Sequence, residues 1–190
     1  MLREGLQKSS LIQQPRKYDY GCVMTGLELD KESWNTIQGM IDEEDVYFGK
    51  EDDKGYGREM EPHVTILYGI HEDVPLEDVE NKINSIKSVD ILLDAISSFT
   101  NEEFDVLKFD IKSNDLSNLN ADFKKLPHTS KYPDYHPHAT IAYLKKGLAD
   151  KYIKKMKKVK PLETIPSKLL YSMPNGDKKE YNFSKKLSTK

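Results

Sequence analysis

Two hexapeptides carry the same reactive groups at the same spacing. His63-Val64-Thr65-Ile66-Leu67-Tyr68 and His138-Ala139-Thr140-Ile141-Ala142-Tyr143 both read His-x-Thr-Ile-x-Tyr. In an extended strand, residues i and i+2 point to one face, so each copy sets an imidazole beside a hydroxyl while Val64/Ile66 and Ala139/Ile141 turn to the other. Histidine ionises near ~6.5, so one ring can be neutral and the other charged around neutral pH. A neutral imidazole takes a proton from an attacking hydroxyl and an imidazolium gives one to a leaving oxygen. Threonine hydroxyls donate to non-bridging phosphate oxygens. Two such strands across one groove hold what acid-base cleavage of a phosphodiester needs without a metal. His63, Thr65, His138 and Thr140 are therefore the candidate catalytic residues, with either histidine open as the base. Tyr68 and Tyr143 stand at an odd offset from the histidines, and strict alternation sends them to the opposite, core side.

The elements that would position these strands are legible along the chain. Residues 18–29 are rich in β-formers, and Asp30 opens a helix striped by Trp34, Ile37 and Ile41. Residues 42–61 are acidic and Gly-containing and predict a long mobile loop, of the kind that acts as a lid, around Val46-Tyr47-Phe48. The His63 strand follows, then a helix from Pro75, strands from Val89 and Phe104, and a helix over 116–126 capped by Asp115. After the His138 strand come a Lys-rich helix over 148–158 and two strands joined through Asn175-Gly176, a strong hairpin signal. Trp34 is expected to pack from the first helix. The order predicts an α+β fold, two pseudo-symmetric lobes of antiparallel sheet with outer helices flanking a central groove. Residues 1–17 read as a tail or leader, and residues 18–190 as one bilobal domain.

Composition narrows the classes. The chain has 190 residues and a net charge of −3, with one cysteine, Cys22, and five histidines at no zinc-ligand spacing. A disulfide scaffold and a zinc ribbon are excluded, no cofactor or metal is expected, and a reducing, cytoplasmic setting follows. No apolar run approaches a membrane span. Residues 145–190 hold 14 lysines against 4 acids, whereas residues 1–144 hold 15 basic and 28 acidic side chains. A binder of long nucleic acid is usually more basic overall, while a local basic wall around a small anion fits this distribution. His71, His128 and His136 lack a Thr two residues on.

On its twin motif, and over about residues 18–183, the chain resembles the 2H phosphoesterase superfamily, which includes 2′-5′ RNA ligase-like proteins and tRNA-splicing cyclic phosphodiesterases. The resemblance implies a metal-independent phosphodiesterase with His63, Thr65, His138 and Thr140 as its catalytic groups. The local runs YDYGCVM, HVTILYG, NEEFDVLKFDIKS and HPHATIAYL look like the phage anti-CBASS phosphodiesterases, which degrade cyclic oligonucleotide signals of bacterial immunity. That branch implies a small cyclic di- or trinucleotide substrate such as 3′,3′-cyclic GMP-AMP, attacked by its own ribose 2′-OH in the host cytoplasm.

Base faces of such a ligand call for aromatic partners. Tyr18 and Tyr20 share one face of the first strand and are candidates, with edge-strand packing as the alternative. Glu163 and Tyr171 flank a late strand, where the carboxylate could accept from an exocyclic amine and the ring could stack. Two other functions use the same residues: a 2′,3′-cyclic phosphodiesterase or 2′-5′ ligase-like enzyme acting on RNA ends, and a non-catalytic cyclic nucleotide sponge. Intact twin histidines argue against the sponge.

Overall fold

The computed structural model describes residues 18–49, 55–132 and 134–183, so the expected tail at 1–17 lies outside them. Two four-stranded antiparallel sheets make up the fold. The first, in the order β2-β1-β7-β8, comprises β1 (Gly21–Gly26), β2 (His63–Ile70), β7 (Lys168–Ser172) and β8 (Lys178–Asn182). The second, β5-β4-β3-β6, comprises β3 (Ile91–Thr100), β4 (Phe104–Lys112), β5 (His138–Lys145) and β6 (Leu162–Thr164). Each histidine strand is thus the last of its sheet's four, and the two pack against each other. The helices are α1 (Lys31–Gly39), α2 (Leu76–Asn84), α3 (Asn114–Phe123) and α4 (Ala149–Lys155). Among the described residues no helix is long and apolar enough to cross a membrane.

The helices that precede the two histidine strands are exchanged between the sheets. α1 begins at an Asp30 side chain that accepts from the Ser33 N–H, then carries Trp34 onto Phe109 of the second sheet, ring centres 6.5 Å apart. α3, which leaves the second sheet, packs on β2 of the first. Its buried face is Leu116, Asn120 and Phe123. Fully burying each such apolar side chain stabilises by ~1.5–3 kcal/mol. The exchange ties both lobes into one core.

Both histidine strands contain the same β-bulge. Val23 pairs with Leu67 but Met24 with Thr65, so Ile66 is extra; Leu107 pairs with Ala142 but Lys108 with Thr140, so Ile141 is extra. A bulged residue leaves the ladder, and its carbonyl needs another donor. The exchanged helices supply one each. The Asn120 amide donates to the Ile66 carbonyl at 2.7 Å, and the Gln38 amide to the Ile141 carbonyl at 2.7 Å. That explains two buried carboxamides within otherwise apolar helix stripes.

Three local features of the structure were not expected. Ser113, not Asp115, caps α3, accepting from the Leu116 N–H, while Asp115 accepts from the Asp90 N–H at 3.0 Å. Strand β6 is too short to show a period. The described parts of the 42–61 segment run along the open edge of β5: Tyr47 N–H donates to the Tyr143 carbonyl, Tyr143 N–H to the Gly57 carbonyl and Glu59 N–H to the Ile141 carbonyl. β2 is covered in the same manner by the stretch before β5, with Thr129 N–H donating to the Gly69 carbonyl. That approach requires glycine, because a Cβ on Gly69, at φ +111°, would sit 1.9 Å from the Thr129 carbonyl oxygen.

Candidate active site

Ladder register places His63 and Thr65 on one face of the first sheet with Cys22 and Met24, and His138 and Thr140 on one face of the second with Lys108 and Asp110. The two imidazoles lie within electrostatic reach of each other. Both rings are oriented identically. His63 Nδ1 stands 3.0 Å from the Glu61 carbonyl and His138 Nδ1 2.9 Å from the His136 carbonyl, each two residues upstream. A carbonyl only accepts, so Nδ1 carries the hydrogen and Nε2 is the nitrogen that exchanges a proton with a ligand.

The charges around the rings differ. Glu59 brings a carboxylate 3.7 Å from His63 Nδ1, a counter-ion for an imidazolium. His138 meets the edge of Phe99 at 4.9 Å, and Lys108, only 4% exposed, lies over the same Phe99 ring at 4.2 Å. Lys108 donates to Ser97 at 2.7 Å and pairs with Asp110, which also accepts from Ser97 at 2.7 Å. Burial pushes His138 below its ordinary value; the His136 carbonyl opposes this, and the Lys108 and His63 charges reinforce it. His138 therefore favours the neutral form. Alternation of Lys108 and Asp110 in FDVLKFDIK was a sequence signal for this polar face, whereas nothing in the sequence linked Glu59 to His63.

The bulges overturn the expected placement of the tyrosines. One extra residue after each threonine returns Tyr68 and Tyr143 to the histidine face. Tyr68 is 53% exposed and packs edge to face on Tyr20, ring centres 5.9 Å apart. Tyr143 meets Tyr56 at 5.1 Å and Phe104 at 5.5 Å. Each lobe thus offers an aromatic surface on the same face as its histidine.

The other candidate contacts divide. Tyr20 stands between Tyr68 and His71, on the first lobe's aromatic surface. Tyr18 is exposed, its backbone N–H donating to the Pro174 carbonyl at 2.7 Å. Glu163 is exposed on β6, at the opposite edge of the second sheet from His138, and so is not brought to the pair. Tyr171 is 3% exposed; its register opposite Val23 puts it on the buried face, where it lies against Gly21. That ring presents no face for a base to stack on. Burial pushes the Cys22 thiol up to about 12, which disfavours the thiolate. Among the described residues, no group of three or more His, Cys, Asp or Glu side chains could hold a metal ion.

The sequence matches the 2′-5′ RNA ligase superfamily over residues 28–170. No curated protein matches it. Among solved structures, Usb1 of Kluyveromyces marxianus is similar at a TM-score of 0.57 and 12% identity, covering 87% of this chain and 98% of that one. Usb1 with uridine monophosphate is similar at a TM-score of 0.56 and 12% identity, covering 86% and 98%. At that identity the likeness bears on the fold, and it agrees with the α+β, two-sheet arrangement. The family match spans both His-x-Thr strands, so the chain belongs to the 2′-5′ RNA ligase superfamily, the 2H phosphoesterases, and is an enzyme of phosphodiester chemistry, hydrolase or ligase-like.

Proposed function

We propose that the protein opens a 3′,3′-linked cyclic di- or trinucleotide by acid-base catalysis, as a phage enzyme that removes a CBASS immune signal. The observation that carries the chemistry is the pair of identically oriented imidazoles with unlike charged neighbours. His138 Nε2 takes the proton of the ribose 2′-OH, whose oxygen attacks the adjacent phosphorus. The P–O5′ bond breaks, and His63 Nε2–H protonates the departing oxygen. The product is a linear nucleotide ending in a 2′,3′-cyclic phosphate, which water opens with the two roles reversed. Thr65 and Thr140 hydroxyls donate to the non-bridging oxygens as charge builds there. Lys108 favours neutral His138 for the first proton transfer, and Glu59 balances protonated His63.

The aromatic surfaces of Tyr20/Tyr68 and Tyr56/Tyr143 support a substrate with a base on either side of one phosphate. The local sequence resemblance supports the cyclic ligand. RNA ends are the second reading, favoured by the fold's likeness to a Usb1 structure holding uridine monophosphate. Purified protein in excess EDTA, given cyclic dinucleotides, cyclic trinucleotides and RNA ending in a 2′,3′-cyclic phosphate, separates the two by mass spectrometry. Opening of the cyclic compounds is expected. Cleavage confined to RNA ends would overturn the immune-signal reading.

A further inference from the structure

A cleft of about 310 Å³ is formed by residues 55–61 and Tyr143. It reaches His63 through Glu59, whose carboxylate lies 3.7 Å from the ring's Nδ1. Its volume sits at the small end of ligand sites, ~300–1,000 Å³, and suits one nucleoside rather than a whole dinucleotide. The wall is aromatic. Tyr56 and Tyr143 cross at 89° with centres 5.1 Å apart, and Phe104 backs both at 5.0 and 5.5 Å.

Among the described residues, the charged groups of the lining are two carboxylates and one guanidinium. The guanidinium, on Arg58, is committed to the Gln38 and Ile41 carbonyls at 2.7 and 2.8 Å and to Glu43 at 2.9 Å. Glu59 accepts the Glu61 N–H at 2.9 Å and, like Glu61, keeps further lone pairs. A lining of rings and carboxylates repels phosphate and accepts a flat group rich in donors. Among the bases, guanine alone presents two adjacent donors on its Watson–Crick edge, N1–H and the N2 amino group. Adenine and cytosine set an acceptor beside their amine, uracil flanks its donor with two acceptors, and each acceptor would face a carboxylate.

We propose that this cleft is a guanine subsite, in which Tyr56 and Tyr143 hold the ring and Glu59 and Glu61 accept from N1–H and the N2 amino group. The proposal rests on the phosphodiesterase reading, since the seated base belongs to the nucleotide being cleaved. It makes the substrate class a guanine-containing cyclic nucleotide.

The test compares 3′,3′-cyclic dinucleotides that carry guanine, hypoxanthine or adenine opposite a constant second base. Hypoxanthine lacks only the N2 amino group. A lost hydrogen bond to a charged acceptor lowers kcat/KM about tenfold or more, and adenine is expected to fall lower still. Glu59→Gln and Glu61→Gln are then read as the guanine-to-hypoxanthine ratio, which cancels any effect of Glu59 on His63. The ratio should collapse toward one in at least one variant, with circular dichroism unchanged. A wild-type ratio near one, or a ratio kept in both variants, would overturn the subsite. Equilibrium binding of GMP, IMP and AMP reads the same preference without turnover. Guanine preference without hydrolysis would therefore sink only the proposed reaction, and hydrolysis without guanine preference only the subsite.

Discussion

The two lobes repeat each other in backbone and differ in charge. Each places a His-x-Thr strand at the junction of the sheets, bulges it at the same isoleucine and satisfies the bulge with an amide from the other half's helix. Each holds its imidazole by Nδ1 on a carbonyl two residues upstream. Beyond that the likeness stops: His63 has the Glu59 carboxylate, and His138 has Phe99 and the buried Lys108 with its partners Ser97 and Asp110. Duplicated backbone can therefore fix where two equal groups sit, while unlike neighbours give them different charge environments, which in the proposed reaction divide them into base and acid.

The largest expected effect tests that division. His63→Ala and His138→Ala should each lower turnover by up to about 10⁴-fold on a dinucleotide. A p-nitrophenyl ester of a ribonucleoside 3′-phosphate needs no proton on its leaving group, so it should restore most of the activity of His63→Ala and little of that of His138→Ala. Equal rescue would remove the assigned roles. Next, Thr65→Val and Thr140→Val should each lower kcat about 10²-fold with KM little changed; a loss confined to KM would make the hydroxyls ground-state contacts.

Smaller in free energy, Asn120→Ala should strand the Ile66 carbonyl and destabilise the fold by about 1–3 kcal/mol, measured by denaturant unfolding. Gln38→Ala, which strands Ile141 in part, should cost less, because the Glu59 N–H also reaches that carbonyl at 3.0 Å. The smallest effect is one of pH. As pH falls through the ionisation of His138 the base is lost, and because that ionisation is depressed the acidic limb of the rate profile lies below where an unperturbed histidine would put it. Lys108→Met removes a neighbouring positive charge and leaves Asp110 without its cation, both favouring imidazolium, so the acidic limb should move to higher pH. A limb that stays in place would detach Lys108 from the chemistry.

The shared face of each His-x-Thr pair was legible because strand periodicity is local: a His and a Thr two residues apart share a face whatever surrounds them. The strand over Phe104–Lys112 and the helix face of Trp34 and Ile37 were legible for the same reason. Tyr68 and Tyr143 were misplaced because one bulged residue reverses alternation, and a bulge is a property of pairing with a neighbour. Tyr171 was misread because its side is set by its register against Val23. Glu163 was misread because strand order put β6 at the far edge of its sheet. Gln38 and Asn120 carried no signal, because their partners are bulge carbonyls that only strand pairing creates.

By itself the sequence determined which groups are available and their spacing along each strand, since those depend only on residue type and backbone period. Tertiary structure alone decided that helices exchange between the halves, that both tyrosines turn toward the histidines and that Glu59 and Lys108 stand beside opposite rings. Those outcomes depend on contacts between residues far apart in the chain, and neither charge nor hydrogen bonding across such a contact has any period to read.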